Sequence, residues 1–179
     1  MNAPIIYVGG SKGGVGKSKL AFALIDYLGT QGKKVLLLET DSSNPDVYKA
    51  HHPHEDADLV CKLTDLDISD GWIELVNFAD AHPGHILVIN SAARSNTGIE
   101  KYGATLKETL AELNRELITF WIINRQRDSL ELLADYLDAM PVGADHQAHV
   151  LRNLYFGAAE KFQLFNGSDI KKRIEESGG

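Results

Sequence analysis

The stretch GGSKGGVGKSKLA, Gly9 to Ala21, decides how the rest of the chain is read. Ahead of it stands an apolar run, Ile5 to Val8. Behind it Leu20, Leu24 and Leu28 recur at four-residue spacing with Ala21 and Ile25 alongside, the pattern of one helix face. A strand, a glycine turn and a helix that opens on Lys17-Ser18 make a phosphate-binding loop. Gly13, Gly14 and Gly16 let backbone amides approach phosphate oxygens, and the helix N-terminus adds its partial positive charge. In such a loop Lys17 holds the terminal phosphates and Ser18 ligates Mg²⁺. Val15 and Lys19 belong to the same candidate contact segment. A chance glycine-rich turn is the competing reading, and the combined spacing, Lys-Ser pair and strand-helix context weigh against it.

Outward from the loop, apolar runs alternate with helical patterns, as in a parallel sheet covered by helices. VLLLE (35–39) reads as a strand buried on both faces. TDSSNPDVYKAHHPHEDAD is polar and turn-rich, so it reads as a long functional loop with a short helix. LVCKLTDL and HILVINS are further strands, separated by a helix whose inner face is Trp72, Leu75, Val76 and Ala79. Leu106, Leu110, Leu113 and Leu117 predict a helix opened by a capping box of Thr105 and Glu108. Ile118 to Asn124 predicts a strand. Leu130, Leu133, Ala134 and Leu137 give the next helix, stopped by Pro141. HVLRNLYFG (149–157) predicts a last strand, followed by a helical tail. With no linker in sight, the expectation is one three-layer α/β domain over residues 1–179, its central sheet mostly parallel.

The bulk composition narrows the function classes. At 179 residues with 44% hydrophobic and 24% charged side chains, the chain has the make-up of a globular domain with a substantial core. No apolar run is long enough to span a bilayer and MNAPIIYV lacks a basic leader, so a cytoplasmic location is expected. One cysteine, Cys61, forbids an intrachain disulfide or a four-cysteine metal site and reads as a small strand residue. The net charge of −7 does not attract nucleic acid or anionic lipid, and Lys171 to Arg173 read as a solvated helix face. His51, His52 and His54 read as surface residues rather than metal ligands. Trp121, Tyr155 and Phe156 read as core.

The second lysine of the loop carries a resemblance. With Lys12 present, KGGVGKS resembles the loop of the deviant Walker A ATPases, the ParA/MinD family of partition and positioning proteins, although Ser11 stands where the usual pattern has glycine. The resemblance implies a P-loop NTPase fold, ATP with Mg²⁺, and a nucleotide-sandwich homodimer. It also implies that Lys12 reaches across to phosphates bound by the other subunit, as an arginine finger does. An ordinary exposed lysine is the alternative for Lys12. VLLLETDSSNPDV is similar to the family's switch I, where a strand ends in an Asp-x-Asp pair; here the pair is Glu39 and Asp41. By this likeness Asp41 orients the attacking water and supports the Mg²⁺ shell, so Lys12, Lys17 and Asp41 are the residues expected at the reacting phosphate. A turn or cap residue is the alternative for Asp41.

HILVINSAAR resembles the Walker B and switch II strand, which normally ends in aspartate and here ends in Asn90. Its amide oxygen can accept from a Mg²⁺-bound water but brings no charge, which leaves binding expected and puts turnover in question. FWIINRQ resembles the strand whose terminal asparagine reads the base: Asn124 offers a donor and an acceptor to the adenine edge, with Arg125 beside it. A turn role is the alternative for Asn124.

The likeness runs from Ile5 to about Phe156. Family members continue through another helix, strand and helix, so this chain reads as a short or truncated member. The implied function is a Mg²⁺-dependent, ATP-hydrolysing dimeric switch in DNA partition, plasmid maintenance or conjugative transfer. It would act on a partner protein, DNA or both, and not on a membrane: DIKKRIEES is short and weakly apolar for an amphipathic anchor. One alternative is a nucleotide-dependent binding module with little or no hydrolysis. Another is a small metabolic ligase of the same superfamily, for which the chain shows no second cluster of substrate residues.

Overall fold

The computed structural model describes residues 1–10, 13–93 and 96–179. Six strands form one all-parallel sheet: β1 (Ile5–Gly10), β2 (Val35–Glu39), β3 (Leu59–Leu63), β4 (Ile86–Asn90), β5 (Leu117–Ile123) and β6 (His146–Arg152), in the order β3-β2-β4-β1-β5-β6. Alternation along each strand divides the core into two layers. Ile6, Val8, Val35, Leu37 and Val88 face α1 (Lys17–Thr30) and α2 (Asp46–His51), meeting Ala21, Ile25 and Val47. Ile5, Tyr7, Leu36, Leu38, Leu87 and Ile89 face the other way, onto α3 (Ser69–Asp80), α4 (Asn96–Leu113) and α5 (Arg127–Ala139). The tail adds α6 (Gln163–Asn166) and α7 (Asp169–Glu176), which close that second layer through Phe165 and Ile174. The three-layer α/β architecture expected from the sequence is therefore present, with a wholly parallel sheet.

The sequence misplaces three boundaries. α4 begins at Asn96, so Thr105 and Glu108 lie inside it and form no capping box. The four-residue leucine spacing continues to Leu117, but the helix stops where Asn114 turns left-handed at φ 51° and the Arg115 amide returns to the Leu110 carbonyl. Leu117 then opens β5. At the other end β6 stops at Arg152, and Leu154–Phe156 form a single 3₁₀ turn capped by the Asn153 side chain, which accepts from the Tyr155 amide at 3.0 Å. Trp121 is core, whereas Tyr155, expected there, is 89% exposed. Cys61 does sit on β3, and its burial pushes the thiol pKa up to about 12. The Lys171–Arg173 face of α7 is solvated and paired, with Lys172 on Asp169 and Arg173 on Asp138.

A buried polar chain crosses the second layer. Thr119 Oγ1 bonds the Tyr136 hydroxyl and lies 2.9 Å from His146 Nε2, while His146 Nδ1 lies 3.2 Å from the Pro141 carbonyl. Donors and acceptors balance with a neutral imidazole: Nδ1–H donates to Pro141, Nε2 accepts from Thr119, and Thr119 accepts from Tyr136. Burial, against the Pro141 carbonyl and Asp145, holds the His146 pKa below its ordinary value. Below about pH 6.5 the unfolded chain takes up a proton that the fold resists, so stability present at neutral pH falls as pH drops. Urea melts at successive pH values should show this loss, at up to about 1.4 kcal/mol per pH unit. His146→Gln should flatten the slope; an unchanged slope would remove His146 as its cause.

Candidate functional site: a phosphate cradle at the strand ends

Strand order reverses at β1, and in open parallel sheets the crevice beyond such a point is where ligands bind. The C-terminal ends of β1, β2, β4 and β6 meet here around a cleft of about 700 Å³, within the range of small-ligand sites. Gly13, Gly14, Gly16, Lys17, Ser18 and Lys19 line one wall, and Asp41, Asn44, Asp46, Ser91 and Ala93 the other. Phe22, Asn153 and Tyr155 complete it. Gly14 and Gly16 have φ of 79° and 113°, left-handed backbone that only glycine takes without strain. A Cβ on Gly16 would also lie 3.1 Å from Asn153 Nδ2. That amide donates 2.7 Å to the Val15 carbonyl, so β6 braces the loop from outside and Val15 is tucked into the core. Ser11 and Lys12 lie outside the described residues, and with them the role expected of Lys12.

Lys17 is buried, 7% exposed. Desolvation draws its pKa down, opposed by Asp41 and then Glu39, whose charges favour the ammonium form. Glu39 is wholly buried at the end of β2, in register with Asn90 at the end of β4. Its Oε1 accepts from Asn90 Nδ2 at 2.9 Å and from the Asp41 amide at 3.1 Å. Burial raises the Glu39 pKa against those two bonds and against the nearby Tyr48 amide, which eases the charge but leaves Oε2 without a hydrogen bond. Asn90 Nδ2 also approaches Ser18 Oγ, at 3.5 Å.

The remaining candidates are placed differently. Asp41 lines the cleft, but its Oδ1 accepts from Ser43 Oγ at 2.6 Å and from the Asn44 amide at 3.0 Å, which is a turn geometry. Asn124, expected at the base, is not among the residues that line the cleft: its Oδ1 accepts from the Gln126 amide at 2.8 Å, its Nδ2 lies 3.4 Å from Gln126 Oε1, and its backbone N–H donates to Ser129 Oγ at 3.2 Å, tying the β5 end to α5. Arg125 reaches the Phe156 carbonyl at 3.4 Å, joining the β5 end to the turn that carries Tyr155. His51 and His52 are engaged locally, with His51 Nδ1 on the Val47 carbonyl and His52 stacked on Tyr48. Sequence reasoning missed Asn153 and Tyr155 because it ran β6 through them; an asparagine just past a strand was the available signal.

The architecture agrees with comparison to known proteins. The model of the CobQ/CobB/MinD/ParA nucleotide binding domain matches residues 6–151. The chain belongs to this family. A protein named MobD from Acidithiobacillus ferrooxidans is 53% identical over 179 residues, spanning all of this chain and 76% of that protein. Among solved structures, the cell division protein FtsY of Thermotoga maritima superposes with a TM-score of 0.61 at 17% identity, over 92% of this chain and 57% of that one. A de novo designed protein of P-loop NTPase fold gives 0.53 at 9% identity, over 100% and 95%. Those two likenesses bear on the fold, which is that of a P-loop NTPase.

A CobQ/CobB/MinD/ParA domain of this kind implies a nucleotide and Mg²⁺, and the residues present fit both. Glu39 Oε2 and Asn90 Oδ1 are buried acceptors with no hydrogen-bond partner among the described residues, and Asn90 Nδ2 links Glu39 to Ser18. Unanswered buried oxygens next to a hydroxyl suit a hard cation and its waters. Ser18 Oγ and Asn90 Oδ1 are the oxygens of the expected ligands Ser18 and Asn90 that would face such a cation, while Asn90 Nδ2 lies between Ser18 Oγ and Glu39 Oε1. Asp41, also expected to, stands on the cleft wall with one oxygen engaged in its turn.

Proposed function

We propose that this nucleotide-binding domain is a Mg²⁺-dependent, ATP-binding and ATP-hydrolysing switch that dimerises around its nucleotide. In this reading it serves plasmid or DNA partition, maintenance or conjugative transfer from the cytoplasm. The observation that carries it is the buried Lys17 at the mouth of a glycine loop, facing the acidic ends of β2 across the cleft. Amides of the loop and the α1 N-terminus receive the phosphates, and Lys17 neutralises their terminal charge. Mg²⁺, when bound, would supply positive charge against the negative charge that develops during transfer. Ser18 and the ends of β2 and β4 hold the oxygen positions for it. Asp41, released from Ser43 and Asn44, orients the attacking water. Lys12 completes the neutralisation from the second subunit, and loss of the terminal phosphate frees the subunits to part. Among the described residues no helix is long and apolar enough to cross a membrane. The targets proposed are a partner protein, DNA, or both.

ATP turnover with Mg²⁺, measured beside molar mass by light scattering with and without nucleotide, tests the reading. Turnover together with an ATP-induced dimer is expected; a monomer that neither binds nor turns over ATP would overturn it. Lys12→Ala should bind nucleotide as a monomer with unchanged affinity and lose ATP-dependent dimerisation in sedimentation. An unchanged sedimentation profile would remove the role across the dimer. The engagement of Asp41 Oδ1 by Ser43 and Asn44 favours a second reading, a nucleotide-dependent binding module with little hydrolysis. Binding and dimerisation without turnover would select it.

A further inference from the structure

Two departures from the expected pattern, Glu39 on β2 and Asn90 on β4, face each other. β2 and β4 are neighbours with Glu39 in register with Asn90, and the two side chains, 0% and 1% exposed, touch at 2.9 Å. A P-loop site ordinarily takes the acidic partner of its metal from the strand that here ends in Asn90. Two carboxylates at that separation in a buried site could not both ionise. With an amide on one strand and a carboxylate on the other, the amide instead donates a hydrogen bond that fixes the carboxylate, and a single negative charge remains.

We infer that Glu39 and Asn90 are one exchanged unit: the carboxylate that serves the metal sits on β2, and Asn90 positions it beside Ser18. Three observations carry this. Asn90 Nδ2 stands between Glu39 Oε1 and Ser18 Oγ, at 2.9 and 3.5 Å, so the carboxylate lies one side chain away from the expected metal-ligating hydroxyl. The Asp41 amide adds a second donor to Oε1, fixing the carboxylate from its own strand end. Oε2 and Asn90 Oδ1 are left as buried acceptors unanswered among the described residues, an arrangement that a cation with its water shell would satisfy. The longer glutamate side chain then has a reason: from β2 it must reach past its own strand end toward the loop side of β4. Asn90 is a positioning residue in this scheme, and the charge it lacks is present next to it.

The inference rests on the nucleotide reading, and the experiment separates the two. Binding of a non-hydrolysable ATP analogue is measured by calorimetry with and without MgCl₂ for the wild type, Glu39→Gln, Asn90→Asp and the double variant. Melting of each without ligand is recorded in parallel. Mg²⁺ should strengthen analogue binding to the wild type by about tenfold or more, the usual scale of coupling between two ligands. Glu39→Gln, which keeps the hydrogen bond to Asn90, should melt like the wild type and lose that gain. Asn90→Asp should melt lower by on the order of 5 °C because it sets two carboxylates together. The double variant, with the charge moved to β4, should recover both the melting temperature and the Mg²⁺ gain. A Glu39→Gln protein that keeps the full gain overturns the assignment, as does an Asn90→Asp protein that melts like the wild type. Failure of the wild type to bind the analogue at all would instead strike the nucleotide reading, while the melting comparison would still decide whether the two residues are paired.

Discussion

Lys17→Ala is expected to lower nucleotide affinity on the order of 1000-fold in calorimetry, the loss of two or more charge-assisted hydrogen bonds to phosphate in a partly desolvated site. The side chain is 7% exposed and held in place by its own helix and by β1, where a Cβ on Gly10 would stand 3.2 Å from Lys17 Cγ. Little ordering cost therefore falls on the ligand. Burial draws its pKa below the ordinary lysine value, with Asp41 and then Glu39 opposing that shift. Alanine also removes a positive charge that interacts with the Glu39 carboxylate, and the unliganded variant should melt somewhat below the wild type. A folded Lys17→Ala protein that binds within tenfold of the wild type would sink the phosphate role.

The largest expected effect on stability lies at the opposite end of the sheet. Arg115 is 3% exposed and donates to four backbone carbonyls: Nη1 to Ala3 and His85 at 2.8 and 2.9 Å, Nη2 to Ala79 and His82 at 2.8 and 2.6 Å. These carbonyls belong to the approaches to β1 and β4 and to the C-terminal end of α3, where a cation also meets the negative end of the helix. Desolvation lowers the guanidinium pKa, with Asp80 opposing. Arg115→Met fills similar space but leaves the carbonyls unanswered, at a cost of about 3–5 kcal/mol and a fall in Tm on the order of 10 °C. Arg115→Lys should recover only part, because one ammonium cannot span carbonyls on both sides of a planar fork. A Met variant that melts within about 2 °C of the wild type would show that water replaces the guanidinium without penalty.

Arg115 marks what the sequence could not disclose. Its bonds join residues up to 112 apart in the chain, and no local pattern records them. The phosphate loop, by contrast, was legible because its glycines, Lys17 and Ser18 are contiguous and their chemistry is local. Strands were legible where both faces are buried, as in VLLLE, since the run of apolar residues needs no partner to be recognised. The end of α4 was misread because leucine spacing persists past Asn114, where a left-handed turn ends the helix. Glu39 and Asn90 each stood out as a departure, yet their pairing required the register of β2 on β4. Tyr155 was taken for core on its apolar ring alone; the turn at Asn153 points it out to the rim of the cleft.

The order of the strands bears on how the protein is made. β1 is synthesised first but lies in the middle of the sheet, and its two neighbours, β4 and β5, emerge some eighty and more than a hundred residues later. Until then the glycine loop has no platform: its supporting strand is unpaired, and the Trp121 ring that packs on Gly9 does not yet exist. Such distant parallel pairing is slow, and it exposes apolar strand edges to other chains while it waits. The phosphate cradle, built from four strand ends, can form only when the whole sheet has closed. A ligand that recognises only the finished sheet would draw the folding equilibrium of this chain toward it.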